Sequence, residues 1–476
     1  MSESSTSNTE VPYRDMFPSG PEYYAQYFID EFRSLRSFRI RLEEGLNVLV
    51  GPNGSGKTNF IDFLDFLSTF LEGGASMAVS RLGGLSRVFS QETLRNRIPR
   101  IRAQVHGLAD LKPYSDPDDD RTLFRFQYDL DVRFNKQHST IYVAGESLKF
   151  KSLFWSDLAV SVDRTVGTIA LKRRGPGEDV EPTWEVGKRL LTRGRSNPLR
   201  YQDRFGNRAR NIRPSTLLED PPRLAPDQSF LSGRAGVVVR TGTPALDAVR
   251  ASLARGRAFN LNPAQARLPD DLSRPPIIGP DGSGVSATLF HMQQARTAKA
   301  QASMYIRRFS KESLDQIVSW TTLVLPELED IDTRADPQTG KYISNLLVDA
   351  GDQKLRIPLQ SASDGTLKWL SFVSLISSRG SIYSLEEPEN YLHPRMQSAL
   401  IDLIRESLSG EHPGYFLLTS HSESIINQCR PRELLLFEFR GGCTTVNRLS
   451  NPTTVEEQIN KTGFGLGYYY ASNAVS

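Results

Sequence analysis

An α/β fold, split in sequence by an inserted mixed α+β region, is predicted by three observations. The stretch "EGLNVLVGPNGSGKTNFIDFLDFLSTFL" reads as a strand, a glycine-rich turn and a helix. Strand–helix–strand patterning returns after Ile357. Between these two regions the chain first alternates apolar and polar residues, an antiparallel β signature, and later turns helical.

The first strand covers residues 46–50. In the helix after the turn, Phe60, Phe63, Leu64 and Leu67 fall at i, i+3, i+4 and i+7, one apolar face. From about 98 to 171, "RIRAQV", "LFRFQYDLDVRF", "TIYVAG" and "TIALK" carry the alternation of half-buried strands. Residues 172–285 are rich in proline, glycine and arginine, and helical patterning resumes over 286–322. Next, "TLKWLSFVSLI" sets Trp369, Phe372, Val373 and Ile376 on one helical face. "SIYSL", "YFLLTS" and "LLLFEF" are short apolar strands. The expected organisation is a disordered tail at 1–22, then the first part of the α/β unit with its antiparallel strands at 23–171. The insertion follows at 172–322, the second part at 323–450 and a C-terminal tail at 451–476. No sustained heptads occur, which excludes a long coiled-coil arm.

Composition narrows the class. At 38% apolar and 24% charged, the chain reads as an ordinary soluble globular protein. No window approaches the ~18 apolar residues of a membrane span. The first residues lack the apolar stretch of a signal peptide, so a cytoplasmic location is expected. The two cysteines, Cys429 and Cys443, have neither metal-site nor disulfide spacing, which suits a reducing compartment. The six histidines form no cluster in sequence, so no zinc site is expected.

The turn carries the chemistry. Gly51, Pro52, Asn53, Gly54, Ser55, Gly56, Lys57 and Thr58 fit G-x-x-x-x-G-K-[ST], with a strand before and a helix after, as a P-loop requires. The glycines let backbone N–H groups close around phosphate oxygens, and the helix N-terminus adds its positive end. Lys57 reaches the β- and γ-phosphates, and the Thr58 hydroxyl can ligate Mg²⁺. With Asn59, these are the candidate nucleotide-binding residues. ATP and Mg²⁺ are the cofactors they imply.

A P-loop enzyme needs a second acid at the end of another core strand. "SIYSLEEPENYLHP" supplies it: an apolar run delivers Glu386 toward the metal, and Glu387 is placed to orient or deprotonate the attacking water. On an extended strand end, the two side chains should point in roughly opposite directions. His421, closing "YFLLTSHSES", is a candidate contact to the γ-phosphate or the attacking water. "ASDGTLKWL" opens a helix on a small polar turn, in which Ser363, Asp364 and Gly365 form a second phosphate-type site. A second such site suggests that each subunit completes its neighbour's.

Together, "FRSLRSFRIRLEEGLNVLVGPNGSGKTN", "SASDGTLKWL", "SIYSLEEPENYLHP" and "LLTSHS" resemble the ABC-type ATPase heads of the RecF, SMC and OLD class. The resemblance implies an ABC-type P-loop ATPase head split by an insertion, and a homodimer or higher oligomer in which two heads sandwich ATP. Ser363, Asp364 and Gly365 of one head would then face the ATP held by Lys57 of the other. This chain has Glu386 where the family usually has Asp, and Ala362 where Leu is usual. Gln91 in "VFSQETL" is the candidate for the family's Mg²⁺-sensing glutamine. The wording "EEPENYLHP" looks most like the standalone ATPases of bacterial anti-phage systems, such as PtuA of Septu and AriA of PARIS. A separate effector, a nuclease or toxin, is then expected on another chain. The alternatives are a RecF-like ATPase acting on DNA in repair, and a scaffold that binds ATP and barely turns it over.

From Lys188 to Arg213, basic residues outnumber the single acid, Asp203. Arg193, Arg195, Arg200, Arg204, Arg208 and Arg210, with Tyr201 and Phe205 interleaved, are candidates for nucleic-acid contact. A solvated hairpin or a subunit contact is the alternative. The C-terminal "TGFGLGYYYASNAVS" is either a docking segment or a tail.

Overall fold

Six strands bring both ends of the chain into one sheet. Their order is Ala258–Phe259, Ser384–Glu386, Tyr415–Thr419, Gly45–Val50, Leu434–Arg440 and Cys443–Arg448. The first five run parallel, and the last pairs antiparallel with its neighbour. Parallel strands are covered on both faces and read as continuous apolar runs, and Tyr415–Thr419 is buried at all five positions. The computed structural model describes residues 25–96, 98–110, 123–151, 165–173, 175, 183–186, 200–201, 210–211, 224–232, 244–254, 257–297, 309–351, 353–378, 384–408 and 414–472.

A seven-stranded antiparallel sheet flanks this unit. It runs Phe38–Leu42, Ala25–Asp30, Arg100–Asp110, Leu123–Asn135, Thr140–Lys151, Thr165–Lys172 and Thr183–Val186. A three-stranded sheet, Leu328–Asp336, Lys341–Asp349 and Lys354–Pro358, leads into the helix Asp364–Ser377. The P-loop helix Lys57–Gly73 lies between the two main layers, with Phe60, Phe63, Leu64 and Leu67 all buried as their spacing predicts. Phe32, Phe38, Phe60, Phe63, Phe66 and Phe437 meet there, with ring centres 5.4–6.4 Å apart.

The insertion contributes to the same core instead of standing apart. Ala258–Phe259 adds the edge strand beside Ser384–Glu386. The helix Pro244–Ala254 packs Leu246, Val249 and Leu253 into the P-loop-helix core. Leu289 and Met292 of Val285–Thr297 join the core on the other face of the parallel sheet. The stretch expected to be a C-terminal tail is also structured over most of its length. Pro452–Thr462 and Leu466–Ala471 are helices, and Leu466 and Tyr469 are buried. The N-terminal residues 1–22 lie outside the described residues.

One buried acid makes a stability prediction. Glu146 is 2% exposed. Its Oε1 accepts from the Tyr128 and Ser229 hydroxyls, and its Oε2 accepts from the Phe230 N–H at 3.0 Å. Burial still pushes its carboxyl up to about 7, with those donors opposing. A carboxyl whose folded pKa is raised stabilises fully below the ordinary carboxylate range. That contribution is lost as pH rises to about 7, up to about 3 kcal/mol. Glu146→Gln cannot ionise, and its single carbonyl oxygen cannot accept from the Tyr128 and Ser229 hydroxyls and the Phe230 N–H together, as the two carboxylate oxygens do. The melting temperature of wild type should therefore exceed that of the variant by more at pH 5 than at pH 8. A gap that widens with pH would show that Glu146 is held ionised.

Candidate functional site

Register places the candidate residues together. Glu386 pairs with Thr419, and Thr419 with Leu49, so three adjacent strands end at the same level. The turn 51–58, Glu387 and His421 all leave that edge. The strand closing on His421 sits between the P-loop strand and the strand carrying the acids.

Glycine is required at two points of the turn. A Cβ at Gly51 would lie 2.3 Å from the Phe437 carbonyl oxygen. Gly56 has φ 99°, and a Cβ there would meet Thr444 Oγ1 at 2.0 Å. Lys57 is buried and donates from Nζ to the carbonyls of Gly51 at 2.7 Å and Pro52 at 3.1 Å. Burial lowers its pKa, and the charge of Glu387 opposes that. Ser55 Oγ, inside the turn, is buried without a hydrogen-bond partner among the described residues. A turn with an orphaned hydroxyl and an ammonium bonded only to carbonyls fits a phosphate group. Pro52, Asn53, Gly54 and Thr58 are exposed. Asn59 turns away from the cradle: its amide donates to Ser34 Oγ at 2.6 Å, and its carbonyl accepts from Arg33 at 3.2 Å.

The acids diverge, but not by strand alternation. The strand ends at Glu386, and Glu387 has φ 41° in the left-handed region. The extended geometry expected for the pair is therefore corrected. The Glu387 N–H donates to the Thr419 carbonyl at 3.1 Å and lies 3.2 Å from its hydroxyl, which pins the turn. Burial pushes Glu386 up to about 7, reinforced by Asp62, Glu387 and Asp65. The Glu387 charge also acts on Lys57 and His421, raising the pKa of both. Burial keeps the His421 imidazole below its ordinary pKa, helped by Lys57 and opposed by Glu387 and Glu389. Among the described residues no three His, Cys, Asp or Glu side chains form a metal cage. Thr58 and Glu386 fit Mg²⁺ through their hard oxygens, of the kind used when phosphates complete the shell.

Several neighbours carried no distinct sequence signal. Glu389 Oε1 accepts from Ser420 Oγ at 2.9 Å and from the His421 N–H at 2.8 Å, tying the acid loop to the histidine loop. Asn390 donates to Glu387 Oε2 at 3.2 Å. Arg267 donates to the Gln360 and Ala362 carbonyls and, at 2.6 Å, to Asp364 Oδ1, bracing the turn before the helix Asp364–Ser377. Burial raises the Tyr470 phenol, and a hydrogen bond with the Gly51 backbone opposes this, so the C-terminal helix reaches the P-loop. Nothing marked Arg267 or Tyr470.

Ser363 is exposed and caps its helix, accepting from the Thr366 N–H at 3.2 Å. Gln91 begins the short helix Gln91–Asn96, but its side chain lies outside what is described. Arg193, Arg195, Arg204 and Arg208 lie outside the described residues. Arg200 and Arg210 stand on two paired two-residue strands, and their side chains are likewise outside.

Parts of the chain are similar to known proteins. Two RecF proteins, described as "DNA replication and repair protein RecF", match short segments. That of Beutenbergia cavernae is 33% identical over 81 residues, 17% of this chain and 20% of the relative. That of Renibacterium salmoninarum is 36% identical over 72 residues, 15% of this chain and 17% of the relative. The chain thus spans a fifth or less of the length of these relatives. An SMC head solved with the C-terminal winged helix of ScpA aligns over 90% of this chain and 98% of its own, at 13% identity and a TM-score of 0.46. An SMC head with ScpA from Pyrococcus furiosus covers 92% and 99%, at 12% identity and a TM-score of 0.43. Those scores are too low to bear on the fold, which rests on the strand order above. The family model described as "AAA domain, putative AbiEii toxin, Type IV TA system" matches residues 46–155 and 188–427. With most of its length matched, including the P-loop, the paired acids and the histidine strand, the chain belongs to this AAA-domain family.

Proposed function

We propose that the chain binds ATP with Mg²⁺ and hydrolyses it, and that this cycle closes and reopens a dimer of heads that switches a separate effector in bacterial defence. The observation that carries the ATPase reading is the convergence of Lys57, Glu387 and His421 at one sheet edge, each within the field of the others. Lys57 leaves the Gly51 and Pro52 carbonyls to neutralise phosphate charge. Glu387 takes the proton of the attacking water. His421, kept neutral, hydrogen-bonds the γ-phosphate or that water. Mg²⁺, held by Thr58 and Glu386, would offset charge building on the phosphate oxygens. Ser363, Asp364 and Gly365 act on the ATP of a second copy, a role supported by the exposure of the Ser363 cap. The family's description, which names a toxin of a type IV toxin–antitoxin system, supports the defence role.

Ser363→Arg tests the dimer. The guanidinium would stand where the partner's γ-phosphate arrives. ATP affinity of the single head should persist, while sedimentation with ATP should show at least ~10-fold weaker association, equivalent to about 1.4 kcal/mol. A variant dimer of normal strength would refute the head-to-head arrangement.

The RecF matches favour a second reading, an ATPase acting on DNA in repair. Gene neighbours separate the two: an adjacent nuclease or toxin gene supports defence, and replication genes support repair.

A further inference from the structure

Lys368 is a lysine that the proposed chemistry does not use. It sits one turn into the helix Asp364–Ser377 and is only 2% exposed. Its Nζ lies 6.0 Å from the centre of the Tyr391 ring. Burial pulls its pKa down to about 8, while Glu389, then Glu387, oppose this. The helix that displays Ser363 and Gly365 therefore carries a cation into the loop that holds both acids.

The packing between helix and loop is close. A Cβ on Gly365 would come within 2.9 Å of the Tyr391 carbonyl oxygen, so only glycine lets the helix start press on the loop backbone. The loop is held in sparsely populated conformations at both ends, Glu387 at φ 41° and Tyr391 at φ 72°. Such conformations persist only where surroundings fix them. One fixing element is the histidine loop, through Glu389 Oε1. Glu389 Oε2 is buried without a hydrogen-bond partner among the described residues, a negative atom in the field of Lys368.

We propose that Lys368 is a positioning residue that holds the 387–391 loop, and hence Glu387, against the helix bearing Ser363 and Gly365. It rests on the ATPase reading above and extends it. Whatever seats on the Ser363–Gly365 turn then acts on the acid of the same subunit through Lys368. A buried lysine is a costly way merely to fill space, because methionine has nearly the same length and no charge to desolvate.

Lys368→Met, Lys368→Arg and Tyr391→Ala in the full chain test this. Lys368→Met should lower kcat about 10- to 100-fold with little change in KM, while its melting temperature holds or rises. Lys368→Arg should recover part of the loss, and Tyr391→Ala, at an exposed position, should give a smaller loss in the same direction. Hydrogen exchange provides a readout independent of turnover. The Asn390 and Leu392 amides, bonded to the Glu387 and Glu389 carbonyls at 3.3 and 3.0 Å, should exchange at least ~5-fold faster in Lys368→Met. Unchanged exchange at these amides would overturn the proposal. A fall in kcat and melting temperature together, without rescue by arginine, would overturn it too. If Lys368→Met does not fold, Tyr391→Ala decides by the same exchange measurement. A wild-type chain without turnover but with the expected exchange change would refute the ATPase reading and leave the positioning role standing.

Discussion

Glu387→Gln should hydrolyse ATP about 10²- to 10⁴-fold more slowly than wild type while still binding it. The substitution keeps the shape of the side chain, including an atom to accept from Asn390, but removes the charge and the base. The turn that aims it depends on backbone bonds to Thr419, which the substitution does not touch. The variant should therefore accumulate with ATP bound and, on the proposed dimer, in the closed state. Glu386→Gln should behave differently. Its carboxyl is surrounded by Asp62, Glu387 and Asp65, so a neutral amide relieves repulsion and should not destabilise the fold. It should instead weaken ATP binding only when Mg²⁺ is present. Turnover and ATP affinity with and without Mg²⁺ separate the two. If Glu387→Gln turns ATP over at the wild-type rate, its role as base is wrong. If Glu386→Gln binds MgATP normally, its role at the metal is wrong, and a chain that holds ATP without turnover becomes the better reading.

The difference between the two acids shows what sequence can and cannot supply. The P-loop was legible because its glycines answer to local backbone demands: Gly56 needs its positive φ, and Gly51 abuts Phe437. Phe60, Phe63, Leu64 and Leu67 were legible because helical period alone decides which face is buried. The pairing order of the strands was not. That Tyr415–Thr419 inserts between Gly45–Val50 and Ser384–Glu386 is a long-range choice, and it is what brings His421 beside Lys57. The left-handed turn at Glu387 was also hidden, because glutamate has no preference for it. The Thr419 backbone and hydroxyl impose it from another strand. The same holds for Ala258–Phe259. Two residues carry no strand signal, and only the neighbour Ser384–Glu386 makes them one. The C-terminal helix Leu466–Ala471 had no helical signal in a stretch that reads as either a docking segment or a tail, because glycine and tyrosine are poor helix formers. It is fixed by tertiary contacts, including the Gly467 N–H to Asn427 Oδ1 at 2.7 Å.

Lys57→Ala should abolish measurable ATP binding at micromolar protein. Its Nζ bonds two carbonyls of the turn at 2.7 and 3.1 Å, an arrangement that a phosphate oxygen can replace with a stronger partner. Hydrogen bonds to charged groups contribute about 1.5–3 kcal/mol each. Losing two at the β- and γ-phosphates should cost about 3–6 kcal/mol, or ~10²- to 10⁴-fold in affinity. Folding should suffer less. The lysine is buried and its pKa is lowered by that burial, so its charge costs desolvation, and alanine removes the cost along with the two bonds. The loss also removes a cation that acts on Glu387 and that helps keep His421 neutral. In the variant the His421 pKa should therefore rise, which proton NMR of the imidazole can follow. Nucleotide titration, with melting temperature as the check on folding, tests the main expectation. A folded Lys57→Ala chain that binds ATP as wild type does would remove the turn 51–58 from the nucleotide site.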